Sequence, residues 1–106
     1  DMLARETDLF DDPDRLAAHN LQFHQALFRA AHNRYLLKTA NILRDSMALM
    51  RGTTMAVPGR AETAHGEHRT LTAAIKARDP ETGELTARRH INNAQSARLK
   101  LLFEPV

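Results

Sequence analysis

The sequence predicts an all-α fold, an antiparallel bundle of about five helices that forms one domain over residues 1–106. Apolar residues recur at helical three- and four-residue spacing, and no strand-like alternation interrupts them. The pairs Asp12-Pro13 and Asp79-Pro80 mark two helix starts, because aspartate caps a helix N-terminus and proline suits the first helical position. A chain of this length without cysteine has room for one core and no disulfide framework.

The first half of the chain contains three expected helices. Residues 2–10 are expected to form the last turns of a helix, and a second helix is expected from Pro13 to about His32. Its apolar stripe consists of Leu16, Asn20, Phe23, His24, Leu27 and Ala31. A third helix is expected from about Arg34 to Met55, because Val57-Pro58-Gly59 follows and should end it.

Two further helices are expected in the second half. The fourth is expected over 60–78, with its core stripe formed by Ala61, Ala64, His68, Leu71 and Ile75. The fifth is expected from the Asp79 cap to about Glu104, with its stripe formed by Ala87, His90, Ile91, Ala94, Leu101 and Leu102. Asn20 and three histidines are therefore expected inside the bundle, where an unpaired polar group costs roughly 1–3 kcal/mol.

Composition limits the classes of function. With 42% hydrophobic and 26% charged residues the chain is expected to be a folded globular domain. No apolar run approaches the roughly 20 residues that span a bilayer, and the acidic beginning is unlike a signal peptide, so we expect no membrane partner and a cytoplasmic location. Basic residues are scattered and aromatic residues make up only 5%, which argues against direct nucleic-acid binding.

Three of the interior histidines are expected to meet. His68 and His90 each lie about ten residues from the Asp79-Pro80 turn, so in an antiparallel pair both are roughly 15 Å from it. His24 lies about nine residues before Asn33, within roughly 7 Å of the same height. Three imidazoles with Asn20 beside them have the composition of a divalent-metal site in a bundle core.

Two interpretations of this cluster remain open on the residues alone. Neutral imidazoles suit zinc, nickel, copper or iron, with open positions for water or a ligand. The alternative is a hydrogen-bonded polar cluster without a metal. The remaining histidines His19, His32 and His65 are expected at the surface or in turns, and His65 is placed to line the mouth of the site.

Five short motifs, in their order and spacing, resemble those of the FCD domain, the ligand-sensing domain of GntR-family regulators of the FadR subfamily. The motifs are Asn20-Leu-Gln-Phe-His24, Ala-Ala-His-Asn33-Arg-Tyr-Leu, Glu67-His68-Arg, Ala74-Ile-Lys-Ala-Arg-Asp79 and Arg89-His90-Ile. The resemblance implies a helical bundle that binds a divalent metal, zinc or nickel in first place, through Asp-x3-His and two later histidines. It further implies a small carboxylate effector, a homodimer, and operator DNA bound by an attached winged helix.

By motif position, His24, His68 and His90 are the implied metal histidines, and Asn20 occupies the place of the usual aspartate. An amide oxygen can coordinate but brings no charge, so this departure should weaken metal binding. The resemblance also implies a fragment that lacks the winged helix and the leading one or two helices of the usual domain.

For the effector we expect Arg44, Asn93 and His65 to contribute, since a carboxylate is held by cationic and amide groups. A nucleophile–base pair and a glycine-rich phosphate loop are not recognisable, so the chain is expected not to be an enzyme. The alternatives are a metal-dependent hydrolase-like bundle, which a three-histidine metal with an open position would permit, and a metal-free ligand-binding domain.

Overall fold

A computed structural model describes residues 1–30 and 53–103, and over these residues the protein is all-α. Its helices are α1 (Met2–Thr7), α2 (Pro13–Ala30), a 3-10 helix (Thr54–Ala56), α3 (Arg60–Lys76) and α4 (Pro80–Phe103). The prediction of an all-α fold is confirmed. The expected third helix lies largely outside the described residues, and at its predicted end the chain forms the 3-10 turn instead of α-helix.

Aspartate caps begin the helices where the sequence places them. Asp12 Oδ1 accepts a hydrogen bond from the Arg15 amide at 3.3 Å. Asp79 Oδ1 accepts one from the Thr82 amide at 3.1 Å, and the Thr82 hydroxyl donates to Asp79 Oδ2 at 2.6 Å. These bonds satisfy amides that a helix start leaves without an intrahelical partner.

The turn between α3 and α4 is tight and sets their pairing. The amide of Asp79 donates to the Ala74 carbonyl at 2.9 Å, and Arg78 adopts a positive φ of 54° to reverse the chain. Ala74 lies beside Gly83 near the turn, and His68 lies beside His90 farther away. The two helices are therefore antiparallel, as expected from their short connection.

The apolar core lies between α1, α2, the 3-10 helix and the beginning of α3. Its buried members are Leu9, Leu16, Met55, Ala61 and Ala64, with Phe10 and Ala17 packed against them. The 3-10 helix thus contributes Met55 to this core. Among the described helices none is long and apolar enough to cross a membrane.

Three apolar residues assigned to core stripes are exposed, and those assignments are wrong. Ile75 is 50% exposed, Ile91 65% and Leu102 56%. The faces of α3 and α4 that are buried carry small or polar side chains, including Ala74, Thr86 and Ala97. Consecutive residues lie about 100° apart around a helix axis. When small residues occupy the buried face, the large residues next to them in sequence therefore point towards solvent.

Candidate metal centre

Three helices each contribute one imidazole to a single cluster. His24 lies on α2, His68 on α3 and His90 on α4, and one ring nitrogen from each lies within 4.8 Å of the others. The Nε2 atoms of His24 and His90 are 3.3 Å apart. The ring centroids of His68 and His90 are 4.8 Å apart, and those of His24 and His68 are 5.1 Å apart. The structure therefore brings together the three histidines that the sequence selected.

A carboxylate from α1 holds His68. Glu6, only 2% exposed, lies with Oε1 at 2.7 Å from His68 Nδ1, and its Oε2 is 3.1 Å from His65 Nδ1. Since an ionised carboxylate only accepts hydrogen bonds, His68 donates through Nδ1 and leaves Nε2 as an acceptor. His68 Nε2 is buried and has no hydrogen-bond partner among the described residues.

A second carboxylate holds His90. Glu67 Oε1 is 2.7 Å from His90 Nδ1 and accepts a hydrogen bond from Arg60 Nη1 at 3.0 Å. Asn93 donates its amide to the other carboxylate oxygen of Glu67. This network is buried, since Arg60 is 6% and Glu67 8% exposed. Arg60 Nη2 lies 3.5 Å from the same Nδ1, but the carboxylate contact of 2.7 Å is much shorter. His90 therefore also donates through Nδ1, which directs an unprotonated Nε2 at the cluster.

The pKa values of these two carboxyl groups agree with ionised carboxylates. Burial alone would raise the pKa of Glu6, but hydrogen bonds and charges of His68 and His65 outweigh it and lower that pKa below its ordinary value. Burial would likewise raise the pKa of Glu67, and the hydrogen bonds from Asn93, His90 and Arg60 lower it overall. Both groups are therefore anionic at neutral pH.

The pKa values of His24 and His90 favour the neutral imidazole that metal binding requires. Burial, together with repulsion of a proton by the nearby His68, His90 and Arg60, lowers the pKa of His24 to about 3. Burial also lowers the pKa of His90, with only partial compensation from Glu67. His24 and His90 are therefore available as neutral nitrogen ligands at neutral pH.

The residues present fit a divalent metal ion. Two nitrogens bound to one tetrahedral zinc, at about 2.05 Å each, lie about 3.3 Å apart, which is the separation of the His24 and His90 Nε2 atoms. The side-chain oxygen of Asn20, one turn before His24 on α2, is buried and has no hydrogen-bond partner among the described residues. A buried oxygen and a buried imidazole nitrogen without partners are costly unless something binds them.

Two of the three expected effector residues lie in the described part of the chain. Asn93 lines a cavity of about 190 Å³ beside the centre, where α3 begins. The cavity is also lined by Val57, Pro58, Gly59, Arg60, Thr63, Ser96, Ala97 and Lys100. His65 lies on the other side, half-buried between Glu6 and the edge of the Phe10 ring. Arg44 lies outside the described residues.

The expected surface position of His19 is wrong. This residue is only 7% exposed, and its Nε2 lies 2.8 Å from the Met2 carbonyl oxygen, because that side of α2 faces α1. The sequence interpretation also assigned no role to Glu6, Arg60 or Glu67. For Arg60 and Glu67 a signal existed, since residues seven apart share a helix face. For Glu6 none did, because its partner is 62 residues away in sequence.

Comparison with known proteins agrees with this geometry. A family model described as the FCD domain matches residues 2–93, which include all three clustered histidines and Asn20. No curated protein and no solved structure matches the chain. Since the matched residues make up most of the sequence, the chain belongs to the FCD domain family, the ligand-sensing domains of GntR-type transcription regulators.

Proposed function

We propose that this chain is an effector-sensing domain that binds a divalent metal ion through His24, His68 and His90, with the Asn20 amide oxygen as a weaker fourth ligand. The observation that carries the proposal is the convergence of one ring nitrogen from each of His24, His68 and His90 within 4.8 Å. Burial lowers the pKa values of His24 and His90 and so favours their neutral forms, and neutral imidazole is the protonation state that zinc and nickel bind.

We further propose that the effector is a small organic carboxylate and that the cavity beside Asn93 receives it. The bound ion would supply a Lewis-acidic attachment for a carboxylate oxygen. This chain supplies the surroundings, since Arg60, Asn93 and Lys100 are among the residues that line the cavity. Its volume of about 190 Å³ is consistent with a small acid.

A sensor domain of this kind responds to its effector by changing the arrangement of its copies. A ligand shifts an equilibrium between conformations only by its difference in affinity for them. We propose that the domain forms a homodimer, and that effector binding changes how the two copies present attached winged-helix domains to operator DNA. The location consistent with this role is the cytoplasm.

The test is metal-dependent stability. At a zinc concentration one hundred times Kd, the folded state gains about 2.7 kcal/mol, which for a domain of this size is a Tm rise on the order of 10 °C. We expect zinc or nickel to raise the Tm of the parent chain, and His68→Ala to abolish the rise. His19→Gln is the matched control, since it changes another buried histidine that lies outside the cluster.

A second measurement separates a sensor from an enzyme. Calorimetry with small carboxylic acids is expected to show one saturable site per chain in the zinc form and none after chelation, with the acid recovered unchanged. Conversion of the acid would favour a metal-dependent hydrolase instead. Equal stabilisation of parent and His68→Ala by zinc would contradict the metal site itself.

A further inference from the structure

Among the residues that the structure describes, carboxylates contact two of the three clustered imidazoles on the side away from the cluster. Glu6 from α1 binds Nδ1 of His68 at 2.7 Å, and Glu67 from α3 binds Nδ1 of His90 at 2.7 Å. Both carboxylates are buried, at 2% and 8% exposure. Burying two carboxylates is unfavourable unless each is fully hydrogen-bonded, so these contacts have a substantial energetic basis.

We propose that Glu6 and Glu67 are the positioning residues of the histidine centre: each accepts the Nδ1–H of one imidazole and so directs the Nε2 lone pair of that imidazole at a shared ion. The proposal rests on the metal site proposed above. Fixing the tautomer and the ring orientation before the ion arrives removes that cost from binding, and a carboxylate behind an imidazole also makes it a stronger ligand.

The two carboxylate contacts predict the tautomers of two imidazoles. An ionised carboxylate only accepts hydrogen bonds, so His68 and His90 each carry a proton on the Nδ1 atom that faces Glu6 or Glu67. In the neutral form of either imidazole, the Nε2 atom is then unprotonated and able to bind an ion.

Glu6 connects the histidine cluster to α1, which Glu67 does not do. It is the one buried residue of α1, and it bridges His68 and His65 on α3. A metal-bound imidazole is a stronger N–H donor than a free one, so the ion is expected to tighten the contact of His68 with Glu6. Docking of α1 onto α3 and binding of the ion are thereby linked and must strengthen each other.

The experiment combines ring-nitrogen NMR with zinc affinity at fixed pH, on the parent chain and on Glu6→Gln and Glu67→Gln. With a chelator present, long-range proton–nitrogen correlation of the parent is expected to show His68 and His90 protonated on Nδ1. Each variant is expected to bind zinc 10–100-fold more weakly in competition with a chelator, the range found for carboxylates behind metal-bound histidines. The imidazole facing the changed side chain is expected to lose its single Nδ1–H form.

Glu84→Gln is the matched control, because Glu84 is an exposed carboxylate that pairs with Arg88 on the surface of α4. It is expected to leave both the tautomers and the zinc affinity unchanged. Unaltered zinc affinity in both test variants, or a parent with His68 and His90 protonated on Nε2, would overturn the proposal. If a variant fails to fold, the tautomers of His68 and His90 in the parent chain test the proposal. A parent that binds no zinc contradicts the proposed function, whereas its metal-free tautomers still test the positioning residues separately.

Discussion

Replacement of His24 by glutamine is expected to make the stability of the metal-free protein less dependent on pH. The imidazole titrates near 6.5 when unfolded, and burial lowers its pKa to about 3 in the folded chain. Between these values the unfolded state binds the proton and the folded state does not, so stability is complete above pH 6.5 and falls as the pH is lowered. At pH 5 the loss amounts to about 2 kcal/mol, from 1.5 pKa units at about 1.36 kcal/mol each.

The assay is urea unfolding at pH 7.5 and pH 5 with a chelator present, which keeps the measurement away from metal binding. The parent is expected to lose at least 2 kcal/mol, since the lowered pKa of His90 acts with the same sign. His24→Gln is expected to lose about 2 kcal/mol less than the parent, and the control Glu84→Gln as much as the parent. Both carboxyl groups of the centre have lowered pKa values and titrate below this range, so they do not blur the comparison. Equal losses in parent and His24→Gln would refute the assignment of a buried, neutral His24.

Three further results are expected. Asn20→Asp should tighten zinc binding in a chelator competition, because it adds an ionised oxygen ligand; weaker binding would show that this side chain lies outside the ligand set. Light scattering should give twice the 11.9 kDa chain mass at micromolar concentrations, since α4 leaves Leu99 and Phe103 47% and 78% exposed, and a monomer mass would exclude the homodimer. Gly59→Ala should destabilise the fold by about 1–2 kcal/mol in urea, because φ is +81° there and nothing lies near the added methyl group to compensate; an unchanged midpoint would argue against this turn.

The position of the histidine cluster could be predicted because it depends on arithmetic along helices. His68 and His90 lie equally far from one tight turn, and antiparallel packing then places them side by side. The Asp-Pro pairs could be read for a similar reason, since a capping bond forms within a few residues of the cap. Local chemistry and equal spacing are both visible in a sequence.

The contacts around the cluster could not be predicted from the same information. Glu6 reaches His68 only because α1 docks on α3, and that docking depends on the whole core. The exposed Ile91 shows the related error for packing, because hydrophobicity alone placed it inside. The interface between α3 and α4 instead uses Ala74 and Thr86, which are small enough to let two helices approach closely. Side-chain volume, and not apolar character, decided which face is buried there.

The charge around the centre bears on the role proposed for Asn20 as a fourth ligand. An aspartate ligand would leave one net positive charge on a divalent ion, whereas three neutral imidazoles and an amide leave two. In this chain the negative charges belong to Glu6 and Glu67. Each of these carboxylates contacts an imidazole of the cluster and would not contact the ion itself. Charge at that distance orients the ligands but neutralises the ion less completely than a bound carboxylate does. On the proposed function, an anionic effector that binds the ion directly would meet a larger uncompensated charge here than it would beside an aspartate ligand. An amide at position 20 would therefore weaken metal binding and strengthen the attraction for a carboxylate, so that occupancy of the metal site would depend more on the effector.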